Sequence, residues 1–203
     1  MHSTHIAIIA SVVAVSGTVA NADIVRVDEF RSDQTESFEQ LRMDVFHHGD
    51  VESFGGMGTL FSVGESGYLH TTGSWSFHQR VAAFDGERLL GSNAGIGYRF
   101  NEAQRSFGGF FSSITSDADG EIRFYSGEDL VGTDTLDAPI DTSWAWNGWS
   151  SDQEFDRVEI ESSYISKGYL LHDAIRVLSS AVPSPGGAVL AFGGLLVIAR
   201  RKR

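Results

Sequence analysis

Short alternating segments cut by glycine turns are the feature that most restricts the fold of this chain. Phe155, Val158 and Ile160 interleave with Arg157, Glu159 and Glu161. Ile122 and Phe124 alternate with Arg123 and Tyr125, and Ile175 and Val177 flank Arg176. A period of two places successive side chains on opposite faces of a strand, one toward a core and one toward water. Turn residues interrupt these segments at Gly55-Gly56, Gly73, Asp85-Gly86, Asp119-Gly120, Ser126-Gly127 and Asn147-Gly148. A spacing of about ten residues with such turns predicts many short antiparallel strands. Residues 23–181 are therefore expected to form one all-β domain, an antiparallel β-sandwich of jelly-roll type. The helical rival is 37–46, where Ser37 and Gln40 have capping-box spacing, but Leu41, Met43 and Val45 also alternate there. Residues 84–91 and 125–132 echo one another as aromatic, Gly turn and return strand, which predicts two similar hairpins.

Charge divides the chain into three parts. Residues 1–22 carry no charged side chain, and residues 182–203 carry Arg200, Arg201, Lys202 and Arg203 with no acid. The chain holds 15 cations and 27 acids in all, so the middle keeps 11 cations against every acid, a formal −16. Such a body repels phosphate backbones, which argues against a nucleic-acid partner. Zero cysteines remove disulfides, thiolate zinc sites and a Cys nucleophile together.

Both ends read as addresses. The apolar run 6–15 is too short for a spanning helix and suits the core of a secretory signal. Ala20 and Ala22 supply the small side chains of a cleavage site, so 1–22 is expected to be a signal peptide. At the other end Val182-Pro183-Ser184-Pro185 precedes the apolar run 186–199 and the cluster Arg200-Arg201-Lys202-Arg203. Its fourteen residues would reach about 21 Å as a helix, so a single transmembrane span needs flanking residues and snorkelling arginines. The cations would remain cytoplasmic, leaving the body outside.

This tripartite tail resembles the PEP-CTERM sorting signal, with Ser184 where that family usually has Glu. The resemblance covers 182–203 and implies an exosortase as processing partner. It further implies a membrane-held precursor, then delivery to the envelope or matrix of a Gram-negative, exopolysaccharide-making bacterium. The body resembles the lectin-like jelly roll common in such proteins.

Within the body, Trp144 and Trp146 are two apart and would face one side of a strand, with Trp149 just beyond. Exposed aromatic rings form a platform for sugar faces; buried, they fill the sandwich core. Asp117, Asp119 and Glu121 gather three carboxylates at a Gly turn, a candidate calcium loop or a solvated hairpin tip. No other cofactor is expected. No Gly-x-Ser-x-Gly, Walker, Rossmann or His-Glu-x-x-His pattern occurs. The expected role is an exported envelope or matrix protein without catalytic residues. The alternatives are a carbohydrate-binding module contacting exopolysaccharide, or a glycan hydrolase built from two of the 27 acids.

Overall fold

A computed structural model describes residues 22–32, 34–43, 47–64, 67–76, 80–114, 120–162 and 169–179. Of the two address segments, 1–21 of the expected signal peptide 1–22 and all of 182–203 lie outside the described residues. The described residues form β1 (Ile24–Arg26), β2 (Gln34–Glu36), β3 (Val51–Ser53), β4 (Gly58–Ser62), β5 (Leu69–Thr72), β6 (Ser74–Ser76) and β7 (Arg80–Ala82). There follow β8 (Leu89–Ser92), β9 (Gly95–Ser113), β10 (Gly120–Ser126), β11 (Asp129–Leu136), β12 (Ala145–Ser162) and β13 (Leu170–Ser179). Every pairing among them is antiparallel, as the alternation predicts. Among the described residues no helix is long and apolar enough to cross a membrane.

Two long strands, β9 and β12, belong to both layers. Their outer halves pair Gly95–Arg99 with Arg157–Glu161, and β10, β11, β4 and β3 extend this first sheet on either side. Their inner halves pair residues 106–111 with 145–150, and β1, β13, β8, β5 and β2 complete the second. Register shifts in β12 between Ser150 and Arg157 mark the bend from one layer to the other. Ile96, Tyr98, Ile122, Phe124, Val158 and Ile160 meet Phe107, Phe111, Trp149, Leu170 and Ile175 between the sheets. These are the inward members of the period-two segments, and their burial is the main drive for closing the sandwich.

The second sheet is also covered on its outer side. Trp75 and Val81 of the β6–β7 hairpin pack with Leu89, Ile114 and Leu171 in a small satellite core. Trp75 lies flat on Gly91, where a Cβ would sit 2.4 Å from the indole, so only glycine allows the ring to settle there.

Two local expectations give way. The described part of 37–46 is a turn, neither helix nor strand. Glu36 explains it: its carboxylate accepts the Phe38 and Phe54 backbone N–H at 2.7 and 2.6 Å, and both residues take positive φ. The two echoing segments also part company. Residues 125–132 are the β10–β11 hairpin, but 84–88 is a turn between β7 and β8, which do not pair with each other. What the segments share is the left-handed glycine at the tip, Gly86 at φ 69° and Gly127 at φ 61°.

Candidate functional site

Trp144 and Trp146 do lie on one side, the outer side of the second sheet, each partly exposed. Trp146 rests across Gly108 and Gly148, where a Cβ at either position would come within 2.7 Å of the indole. Its Nε1–H donates to the Val27 carbonyl at 3.2 Å, and Phe30 and Phe110 each meet its ring edge-on at 5.4 Å. The Arg176 guanidinium covers the remaining face at 5.4 Å and donates to Glu29 and the Phe30 carbonyl. Trp146 is thus enclosed on both sides and supports its neighbours. Trp144 donates from Nε1 to the Ala82 carbonyl at 3.1 Å and meets Phe84 edge-on at 6.3 Å.

Phe84 is the most open ring of this row, 46% exposed, and stacks on Phe110 with centroids 3.6 Å apart and planes 16° from parallel. Two carboxylates hold the turn that presents it. Asp173 accepts the Phe84 and Asp85 N–H groups at 2.7 and 3.2 Å, and Glu39 accepts those of Glu87 and Arg88 at 2.7 and 2.8 Å. Asp173 sits beside Phe110 in the ladder, at a register shift where Ala174 has φ 47°. Burial pushes its carboxyl up to about 7 despite these backbone donors. The preceding residue points the other way: His172 receives or gives a hydrogen bond with the Tyr98 hydroxyl at 2.9 Å in the core. Burial holds its imidazole down at about 3, so it is neutral at physiological pH.

The outer face of the first sheet has different chemistry. Register places Thr59, Arg99, Arg157 and Tyr125 in one row across four strands, and Phe61, Gly97, Glu159 and Arg123 in the next. Phe61 lies over Gly97, and Arg99 covers Phe61 at 4.9 Å while Arg157 covers Tyr125 at 4.2 Å. Arg123 pairs with Glu121 at 2.6 Å and Glu161 at 3.0 Å.

The remaining candidates fall as follows. Trp149 is completely buried between the sheets, donating to Asp134 at 2.7 Å, so it is a core residue and no part of a surface platform. An odd offset from Trp144 and Trp146 sends it to the opposite face. Burial would raise the Asp134 carboxyl, but donors from Thr135, Trp149 and Arg26 hold it below its usual range. Asp117 and Asp119 lie outside the described residues, and Glu121 is engaged by Arg123. Among the described residues no group of three or more His, Asp or Glu is placed to hold a metal ion. Ala22 is described, its N–H bonded to the Val131 carbonyl at 3.0 Å; Ala20, Val182, Pro183, Ser184, Pro185, Arg200, Arg201, Lys202 and Arg203 are outside. Sequence reasoning passed over Phe84, Phe110, Asp173 and the Arg99–Arg157 pair. The signal for Phe84 was available in the echo with Tyr125, an aromatic entering a left-handed Gly turn.

No protein-family model matches the chain, and no curated protein matches it. Among solved structures it is similar to the K2 cleaved adhesin domain of Lys-gingipain, at 13% identity and TM-score 0.47, over 70% of this chain and 97% of that one. It is similar to the CBM22-1 xylan-binding domain of Paenibacillus barcinonensis Xyn10C, at 15% identity and TM-score 0.42, over 81% and 100%. A β-1,3-glucan-binding CBM6 from Bacillus halodurans gives 15% identity and TM-score 0.36, over 54% and 88%.

Proposed function

We propose that the body is a glycan-binding module, exported and sorted through the PEP-CTERM-like tail, that meets polysaccharide with the aromatic outer face of its second sheet. The observation that carries this is Phe84: a large ring, half open to water, held in a fixed plane against Phe110 and edged by Trp144. A ring fixed this way loses little entropy on binding, and its free face suits the C–H face of a pyranose. Polar groups flank the rings along the chain. Asp85 follows Phe84, and Asp141 and Ser143 precede Trp144, with hydrogen bonds from Ser143 holding the Asp141 carboxyl below its usual range. The site is an open face, suited to the side of a long chain more than to an enclosed small molecule.

The test is titration of the full-length protein with xylan and β-1,3-glucan, followed by tryptophan fluorescence and calorimetry. Phe84→Ala and Trp144→Ala should each weaken binding about tenfold or more, a loss near 1.4 kcal/mol. No response to any glycan, or equal affinity in both variants, removes the reading. Sorting is tested separately by mass spectrometry of the mature protein from an exosortase-containing host, where loss of everything beyond roughly Pro185 supports it. An intact Arg203 terminus on surface-exposed protein leaves a simple anchor.

A further inference from the structure

The body has few cations among many acids, yet Arg99 and Arg157 stand directly opposite each other on neighbouring strands. Like charges in register repel, and here Asp50, Glu128 and Glu159 offset that repulsion at 3.4 to 3.9 Å. A recess of about 310 Å³ opens there, lined by Arg99, Phe100, Gly127, Glu128, Asp156 and Arg157. That volume falls at the lower end of small-molecule sites and exceeds what a bare ion needs.

The two guanidinium groups are supported but not satisfied. Each lies over an aromatic ring, Phe61 beneath Arg99 and Tyr125 beneath Arg157, which fixes its plane. The carboxylates that reach them are loose partners. Asp50 stands 3.4 Å from Arg99 and Glu128 stands 3.9 Å from Arg157, with 61% and 95% of those side chains exposed. The Arg157 Nε is buried and lies 3.4 Å from Glu159 without the alignment of a hydrogen bond. Asp156, the other acid of the recess, turns both oxygens to the Gly127 N–H at 3.0 and 3.1 Å. Glu128, which lines the recess, shows that a carboxylate reaches Arg157 from that side, and Asp50 shows that Arg99 accepts one as well. Arginine forks match that planar group with paired hydrogen bonds.

We propose that this recess binds the carboxylate of an acidic sugar, a uronate unit of a polysaccharide, displacing Asp50 and Glu128 from the two arginines. It goes beyond the aromatic-face reading and does not depend on it, because the two surfaces belong to different sheets. The test is calorimetry of the full-length protein at low salt with oligogalacturonate, with neutral xylan and with free acetate and inorganic phosphate as competitors.

Oligogalacturonate binding should weaken at least tenfold in Arg99→Gln, and further on adding 0.5 M salt. Arg99→Lys, which keeps the charge and loses the fork, should recover only part of it. Phe84→Ala should leave it unchanged, and Arg99→Gln should leave any xylan binding unchanged. Arg99 is half exposed, so its variants should fold; Arg157→Gln, checked by circular dichroism, gives the second measurement. Oligogalacturonate binding that is absent, or indifferent to Arg99, overturns the proposal. Competition by acetate or phosphate equal to that of the oligomer also overturns it, leaving only a free-anion site.

Discussion

The outer face of the first sheet interleaves Arg99, Arg123 and Arg157 with Glu121, Glu159 and Glu161, whereas that of the second carries Phe30, Phe84, Phe110, Trp144 and Trp146. The strands β9 and β12 run through both sheets and contribute to both faces, Arg99 and Arg157 on one and Phe110 and Trp146 on the other. On the first sheet Arg123 pairs with the half-exposed Glu121 and Glu161, and such solvated pairs are exchanged at low cost. The second has outward residues pinned by pieces from elsewhere: the segment after β1, the β6–β7 hairpin and the 84–88 turn. A sheet face that is covered in part and leaves one stacked ring open differs from a face that is merely wet.

The sharpest way to break this comparison is Trp146→Ala. Removing a ring enclosed by Gly108, Gly148, Phe30 and Phe110 should cost about 2–4 kcal/mol in urea unfolding. A loss below about 0.5 kcal/mol would make the aromatic face as superficial as the charged one. Second in size is Gly97→Val, which must displace Phe61 from a position 2.0 Å from the new Cβ and should cost about 1–3 kcal/mol. That effect would show that packing matters on the charged face wherever an aromatic lies flat.

Third comes pH. Asp173 is raised in the folded protein, so its contribution to stability is fully present below the unfolded value near 4 and is lost as pH rises through about 7. His172 is lowered, so its contribution is present above about 6.5 and is lost as pH falls toward 3. Between roughly pH 4 and 6.5 the neighbours oppose each other. Asp173→Asn should therefore unmask a steady decline in the urea midpoint as pH falls from 6.5, where the wild type is flatter. Parallel profiles would mean that Asp173 titrates normally. Smallest of all, Arg123→Gln on the charged face should cost no more than about 1 kcal/mol.

How much of this was legible in the sequence follows the same division. The first sheet could be read directly in 120–125 and 157–161, which each have one buried and one more solvated side. The second was legible at 175–177 but not at its centre, because residues 107–111, Phe-Gly-Gly-Phe-Phe, are buried on both faces and lose the alternation. Trp144 and Trp146 were correctly placed on one side by parity, but nothing in their spacing told which ring would stay open. The echo with Tyr125 marks Phe84 as an aromatic entering a Gly turn but not how its ring is held, because Asp173 and Glu39, which fix that turn, are 89 and 48 residues away from their partners Phe84 and Glu87. Such long-range side-chain clamps leave no local pattern.

The proposed glycan contact rests on the aromatic face and, within it, on Phe84 and Trp144. Its most direct measurement is a ¹⁵N-labelled NMR titration of the full-length protein with xylo-oligosaccharide, following the Trp144 indole and the backbone amides of 84–88 against those of Arg123 and Glu159. The indole and turn signals should move together with one saturation curve while the charged-face amides stay still. Movement confined to β10 and the outer half of β12, with the Trp144 indole unchanged, would contradict it.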